Sequence, residues 1–251
     1  NTKWAAEHIS KATGEKLFSI AKEIDGYCQY TLDKDERLGF CFPIHGWQPP
    51  RIVRDFISKM TINGYTSNYI FTVCTCGDTV GDAIGILGKD LSNKGISLQG
   101  SFSLIMPESY VCLPFMYTDT KEKEKAKITK AFDELKEICN DVINRNCDIQ
   151  RLHKGPTPWI YSYVIGNYFN KRMITDKPFN VDKNLCIGCG LCETVCPTGN
   201  ITFENNRLVW RHDNSCTCCL ACYHHCPQHA INYGKITRKR GQYYFKGIPQ
   251  E

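Results

Sequence analysis

The sequence predicts an α/β chain in two parts: a doubly wound parallel sheet over residues 1–150 and a small α+β module over residues 178–235. Three observations predict it. Apolar runs without polar alternation, such as Leu38-Gly39-Phe40-Cys41-Phe42 and Tyr69 to Cys74, alternate with segments of helical period. That is the pattern of strands covered on both faces. A block of cysteines then recurs 30 residues on, and an internal repeat of this kind implies two similar halves. Finally, eight of the 16 cysteines lie in those two blocks.

The elements of the first part follow in order. Thr2 to Thr13 reads as an amphipathic helix and Lys16 to Ile20 as a short strand. Leu38 to Phe42 is a buried strand ending at Pro43, and Pro50 to Met60 is a helix opened by proline. Tyr69 to Cys74 is an apolar strand stopped at Gly77. Thr79 to Leu91 is a helix, and Gly95 to Met106 a longer strand pair. Ile128, Ala131, Phe132, Leu135, Ile138 and Val142 form a core stripe at helical spacing. The charged run Lys121 to Lys127 ahead of it reads as solvated helix surface. Residues 151–177 form a connecting segment in which Pro156 and Pro158 precede a helix from Trp159 to Met173. Residues 236–251 are a basic and aromatic tail.

Each cysteine run reads Cys-x2-Cys-x2-Cys-x3-Cys-Pro: Cys186, Cys189, Cys192, Cys196 and Pro197, then Cys216, Cys219, Cys222, Cys226 and Pro227. The strand behind each run recurs too, as Ile201-Thr202-Phe203 and Ile231-Asn232-Tyr233. Three cysteines at this spacing reach three corners of a cubane [4Fe–4S] cluster from one tight loop. The fourth, just before proline, ligates the other cluster in two-cluster proteins of this pattern. One cluster is therefore expected on Cys186, Cys189, Cys192 and Cys226, the other on Cys216, Cys219, Cys222 and Cys196. Zinc sites use paired Cys-x2-Cys with a long spacer, which this pattern does not follow. Cys218 falls outside the spacing and reads as a buried neighbour. His224 and His225 read as solvated.

Thiolates kept for clusters need a reducing compartment, so the reading is a cytoplasmic protein of an anaerobe. No apolar run approaches the roughly 18 residues of a membrane span, and no signal-peptide pattern opens the visible N-terminus. The net charge of +5 suits docking to an acidic redox partner and is weak support for nucleic-acid binding.

Parallel sheets bind ligands beyond the C-terminal ends of their strands. There this sequence places Pro43, His45, Gly46 and Trp47 after one strand, and Thr75, Cys76, Gly77 and Asp78 after the next. Trp47 offers a plane for stacking, while Gly77 frees backbone amides beside a carboxylate. A planar heterocycle such as a flavin suits this pair; a packed tryptophan between ordinary loops is the plainer alternative.

The order of these features resembles flavodoxin, and the whole chain is similar to the EFR1 family, in which a flavodoxin-like region precedes a two-[4Fe–4S] ferredoxin region. Asn1-Thr2-Lys3-Trp4-Ala5-Ala6 is similar to the end of a flavodoxin phosphate loop entering its first helix. The resemblance implies FMN, with Thr2, Lys3 and Trp4 near its phosphate. Met106-Pro107-Glu108-Ser109-Tyr110 is similar to a Met-Pro-Glu-Asn-Tyr segment of that family. A flavodoxin also has an interior first strand in the order 2-1-3-4-5. It is absent from the residues at hand, so about ten further residues are expected ahead of Asn1, together with a gap in the sheet.

The function implied is electron transfer between FMN and two clusters, serving partner oxidoreductases. Two alternatives stand beside it. One is an iron–sulfur flavoenzyme reducing a small substrate, with His45 or the Cys74/Cys76 pair as proton donor. The other is a ferredoxin joined to a flavin-free interaction domain.

Overall fold

A computed structural model of the chain describes residues 1–204 and 207–247; Asn205, Asn206 and the last four residues of the predicted tail, 248–251, lie outside the described residues. The first part contains α1 (Thr2–Thr13), α2 (Ile20–Glu23), β1 (Gln29–Thr31), β2 (Leu38–Pro43), α3 (Arg51–Lys59), β3 (Thr61–Asn63), β4 (Ile70–Cys76), α4 (Ala83–Ser92), β5 (Gly100–Ile105), α5 (Lys121–Ile143) and β6 (Ile149–Arg151). Strands β2, β4, β5 and β6 form one sheet in that spatial order, every pairing parallel. β1 and β3 form a separate parallel pair.

All seven residues of β4 are buried, and alternation sends them to two different cores. Ile70, Cys74 and Cys76 join Val53, Phe56 and Ile57 of α3 with Ile84, Leu87 and Leu91 of α4. Phe71 and Val73 join Trp4, Ala5 and Ile9 of α1 with Ala131, Leu135, Ile138 and Val142 of α5. The sheet is thus covered on both faces. Cutting a fully buried Leu87 or Leu135 back to alanine costs about 2–5 kcal/mol. Helix α5 starts where Thr120 accepts a hydrogen bond from the Lys123 amide, with Glu122 and Glu124 in the first turn, where negative charge favours the helix dipole.

Two predicted elements differ. Lys16 to Ser19 is irregular, and Ile20 opens α2. A strand there needs a neighbour to satisfy its backbone, and among the described residues no strand pairs with it. The four strands are contiguous, so the predicted gap is not present; β2 is an edge strand bonded only to β4. Gly95 to Met106 holds one strand, β5, rather than a pair. Gly95, at φ 73°, turns the chain out of the preceding helix, and the Gln99 side chain accepts from the Ile70 amide at 2.7 Å.

The predicted helix at Trp159 to Met173 is a π-helical stretch (Ile160–Ile165) running into α6 (Gly166–Arg172). Its wide turn brings Ser162 fully inside, where the hydroxyl donates to the Trp47 carbonyl and accepts from the Asp82 amide, both at 2.7 Å. Such bulges mark places where tertiary contacts override α-helical pairing. Glycine permits the close approach: a Cβ on Gly166 would strike the Gly46 carbonyl, and one on Gly46 would stand 2.5 Å from the Phe169 ring.

The C-terminal module contains β7 (Phe179–Val181), α7 (Leu191–Thr194), β8 (Ile201–Glu204), β9 (Arg207–Trp210), α8 (Ala221–His224), β10 (Ile231–Tyr233) and a 3-10 turn (Thr237–Lys239). The strand behind the second cysteine run, β10, pairs antiparallel with β7 ahead of the first. The strand behind the first run, β8, pairs with β9 ahead of the second. Phe179 stacks on Trp210 at 5.6 Å and meets Tyr233 edge-on at 5.0 Å. The tail is packed as far as it is described. The Tyr223 hydroxyl lies within hydrogen-bonding distance of the carbonyls of Thr237, Arg240 and Gly241, at 2.9–3.2 Å. Gln242 donates to the carbonyls of Tyr223 and Cys226, Tyr243 donates from its hydroxyl to Asn1 Oδ1 at 2.7 Å, and Phe245 lies on Trp4.

Candidate functional site

One cavity of the C-terminal module is lined by Cys186, Cys189 and Cys192 of the first run and by Cys226 of the second. Short helix α7 places Cys192, the loop before it places Cys186 and Cys189, and the end of α8 delivers Cys226. The remaining wall is mostly apolar, formed by Val181, Ile187, Leu191, Phe203, Leu208 and Ile231, with Gln228 the polar member. The loop turns at Gly188 and Gly190, both left-handed at φ 68° and 72°, a conformation glycine adopts without penalty. In the second run Cys222 is buried, Cys216 and Cys196 are half-buried and Cys219 is exposed.

Three of these thiols, Cys192, Cys216 and Cys222, are costly to ionise without metal. Burial pushes Cys192 up to about 11 and Cys216 up to about 12, and raises Cys222 further. A coordinating metal removes that proton outright, so the donor set suits thiolate ligation to iron. Among the described residues no three His, Cys, Asp or Glu side chains close on a single ion. The cysteines instead surround a shared apolar space, an arrangement that fits a cluster better than one zinc atom held at about 2.3 Å.

The strand-end residues lie at the C-terminal edge of the main sheet. β2 ends at Pro43 beside Thr75, and α1 begins there too: the Thr2 and Thr75 hydroxyls are 2.6 Å apart, and Asn1 donates to the Pro107 carbonyl at 3.4 Å. Trp47, left-handed at φ 56°, donates from Nε1 to Thr79 at 3.0 Å and lies 4.8 Å from the Tyr161 ring. Gly46, at φ 52°, sits against Phe169. His45 retains some surface but is crowded by protein, which pushes its imidazole pKa down to about 4. Cys76 is buried, with its thiol pushed up to about 12, while Asp78 is exposed. Gly77 faces the Glu108 carboxylate, which accepts from the amides of Ser109 and Tyr110. Of the residues implied near a phosphate, Lys3 points to solvent and pairs with Glu7, while Trp4 is buried in the core on His8 and Phe245.

The expectation for His224 is corrected: it is 4% exposed, not solvated. Its Nδ1 accepts from the Tyr243 amide at 3.1 Å, so Nε2 carries the hydrogen and donates to the Ser109 carbonyl at 2.7 Å. Burial pushes its pKa down to about 4, which keeps this arrangement neutral. His225 is half-buried and stacks on Tyr244 at 4.2 Å. Sequence reading also missed Ser162 and Asn170, which hold the Trp47 loop; Asn170 donates to the His45 carbonyl at 3.0 Å. No local pattern marks either residue.

The sequence family described as 4Fe-4S binding domain matches residues 179–202, which include the whole first run. An uncharacterized ferredoxin of Methanocaldococcus jannaschii is 41% identical over 54 residues, which is 20% of this chain and 70% of that protein. A ferredoxin-like protein in the nif region of Nostoc sp. is 42% identical over 43 residues, 17% of this chain and 37% of that protein. No solved structure matches the chain significantly, and among the described residues no helix is long and apolar enough to cross a membrane. Through its C-terminal region, with a [4Fe–4S]-binding domain suited to electron transfer, the chain belongs to the ferredoxins.

Proposed function

We propose that the chain is a carrier of single electrons with two [4Fe–4S] clusters in its C-terminal module and FMN at the sheet edge of a flavodoxin-like module, as in the EFR1 family. The observation that carries the cluster half is the cavity shared by Cys186, Cys189, Cys192 and Cys226, three from one run and the fourth from the other. By the repeat, Cys216, Cys219, Cys222 and Cys196 hold the second cluster. A bound cluster exchanges one electron and a flavin one or two, so their union suits splitting or collecting a pair.

The flavin half is supported by convergence. The ends of β2, β4 and β5 meet the first turn of α1 at one edge of a parallel sheet, where such sheets bind ligands. Thr2 and the α1 amides would hold the phosphate, and Pro43, His45, Gly46, Trp47 and residues 75–78 would flank the ring. The reading divides the chain at 1–150, 151–177, 178–235 and 236–251, places it in a reducing cytoplasm, and gives it redox partners with acidic docking surfaces. A flavoenzyme is less well supported: of its candidate proton donors, Cys74 and Cys76 are packed inside the sheet and burial pushes the His45 imidazole down to about 4, leaving it neutral near pH 7.

Anaerobic reconstitution of the full chain tests the proposal. About eight irons per chain are expected from two four-iron clusters, with FMN released on denaturation. Four irons or fewer, or zinc in their place, overturns the cluster half; absence of FMN overturns the flavin half.

A further inference from the structure

The two cysteine runs are copies, yet their non-cysteine positions differ in one direction. Gly188, Gly190, Glu193 and Thr194 of the first run correspond, 30 residues on, to Cys218, Leu220, Tyr223 and His224 of the second. The first four are half-buried or exposed, and a Cβ on Gly190 would meet nothing within 4 Å. The last four are 0–4% exposed. Cys218 and Leu220 keep the left-handed backbone of the glycines they replace, at φ 53° and 60°. That conformation costs a non-glycine residue about 1 kcal/mol or more, so something offsets it.

The offset is contact with the N-terminal module. Cys218 and Leu220 share one core with Val111 and Cys112, which follow directly on the segment 106–110. His224 donates to Ser109 in that same segment. Of the first run, Cys192 and the half-buried Cys196 also join that core, while the residues lining the first run's cavity all lie at or after Val181. Its loop also leaves Leu185, Ile187 and Leu191 at 46%, 64% and 37% exposure.

We infer that the duplicated runs have divided their roles: Cys218, Leu220, Tyr223 and His224 dock the second run against the sheet module, and the first run faces solvent. These four are positioning residues rather than ligands. The inference rests on the two-cluster reading, and it adds which cluster-binding loop is inward and which outward.

The test uses reduced holoprotein and a water-soluble dysprosium chelate, whose paramagnetism erases the EPR signal of clusters it can approach. Iron per chain is counted first; fewer than about eight irons overturns the two-cluster reading itself. Cys219→Ala, retaining the first run's cluster, is expected to lose its signal with chelate, and Cys189→Ala, retaining the second's, to keep it. Adding Cys218→Gly and Leu220→Gly to Cys189→Ala relieves two left-handed residues, yet is expected to make the remaining signal chelate-sensitive. Equal sensitivity of the two clusters, the reverse order, or no effect of the glycine pair overturns the inference. Should a cysteine variant not assemble, hydrogen exchange on wild-type holoprotein decides. Amides 216–225 are expected to be protected and to lose protection in the glycine pair; unchanged exchange overturns the inference.

Discussion

The hydroxyl oxygens of Thr2 and Thr75 lie 2.6 Å apart across 73 residues of chain, fastening the first turn of α1 to the end of β4. Thr75 is buried, so removing its hydroxyl leaves Thr2 facing an apolar replacement. Thr75→Val is expected to lower the unfolding free energy by about 1 kcal/mol in anaerobic urea titrations, and Thr75→Ser to restore most of it. Equal stability of all three would show the hydroxyls unbonded.

A Cβ on Gly77 would push aside the Glu108 carboxylate, which is held by the amides of Ser109 and Tyr110. Gly77→Ala is expected to cost about 1–3 kcal/mol. In Glu108→Ala the same substitution is expected to cost much less, because the obstructing group is gone. A double-mutant cycle measures that coupling, and strict additivity would refute the contact.

His45 sets a pH dependence. Its folded pKa of about 4 lies below the ordinary 6.5 because burial disfavours the charged ring. The folded state therefore takes up its proton later than the unfolded state. The contribution is complete above about pH 6.5 and is lost as pH falls toward 4, by up to about 3 kcal/mol. His45→Gln holoprotein is expected to show a shallower loss over that window than wild type. Parallel curves would place the titration elsewhere.

Arg240 is 8% exposed, donates to the Pro114 carbonyl and covers the Tyr117 ring at 3.5 Å. A lysine cannot match the planar fork and the stacking together. Arg240→Lys is expected to raise hydrogen exchange at residues 241–245 and to lower stability by about 1–2 kcal/mol. A variant indistinguishable from wild type would mean that Arg240 is a surface charge after all.

The proposed crossed ligand sets give a prediction that neither run makes alone. Cys226→Ala lies in the second run but lines the first run's cavity. It is expected to bring iron from about eight to about four per chain, and the surviving cluster should be the one that Cys219→Ala removes. Survival of the other cluster would show uncrossed ligation.

What could be read beforehand follows from how local each signal is. β4 was legible because all seven of its residues are buried, and α5 because its stripe repeats at helical spacing. The cysteine runs carry their chemistry in spacing alone. Lys16 to Ile20 misled because a strand exists only if another lies beside it. The π-helical turn at Ser162 depends on Trp47 and Asp82, which lie 115 and 80 positions away along the chain. His224 looked solvated between two cysteines; setting it against Thr194 in the first run would have shown a bulky ring where the copy carries a small side chain.

The interlocked halves also constrain how the protein is made. Strand β7 has no partner until β10 exists, and the first cavity lacks a wall until Cys226 has been added. On the proposed crossed ligation, a ribosome that has finished the first run has not finished a place to put iron. Metal loading would then wait for nearly the whole polypeptide, and a nascent chain halted between the runs would carry open thiols.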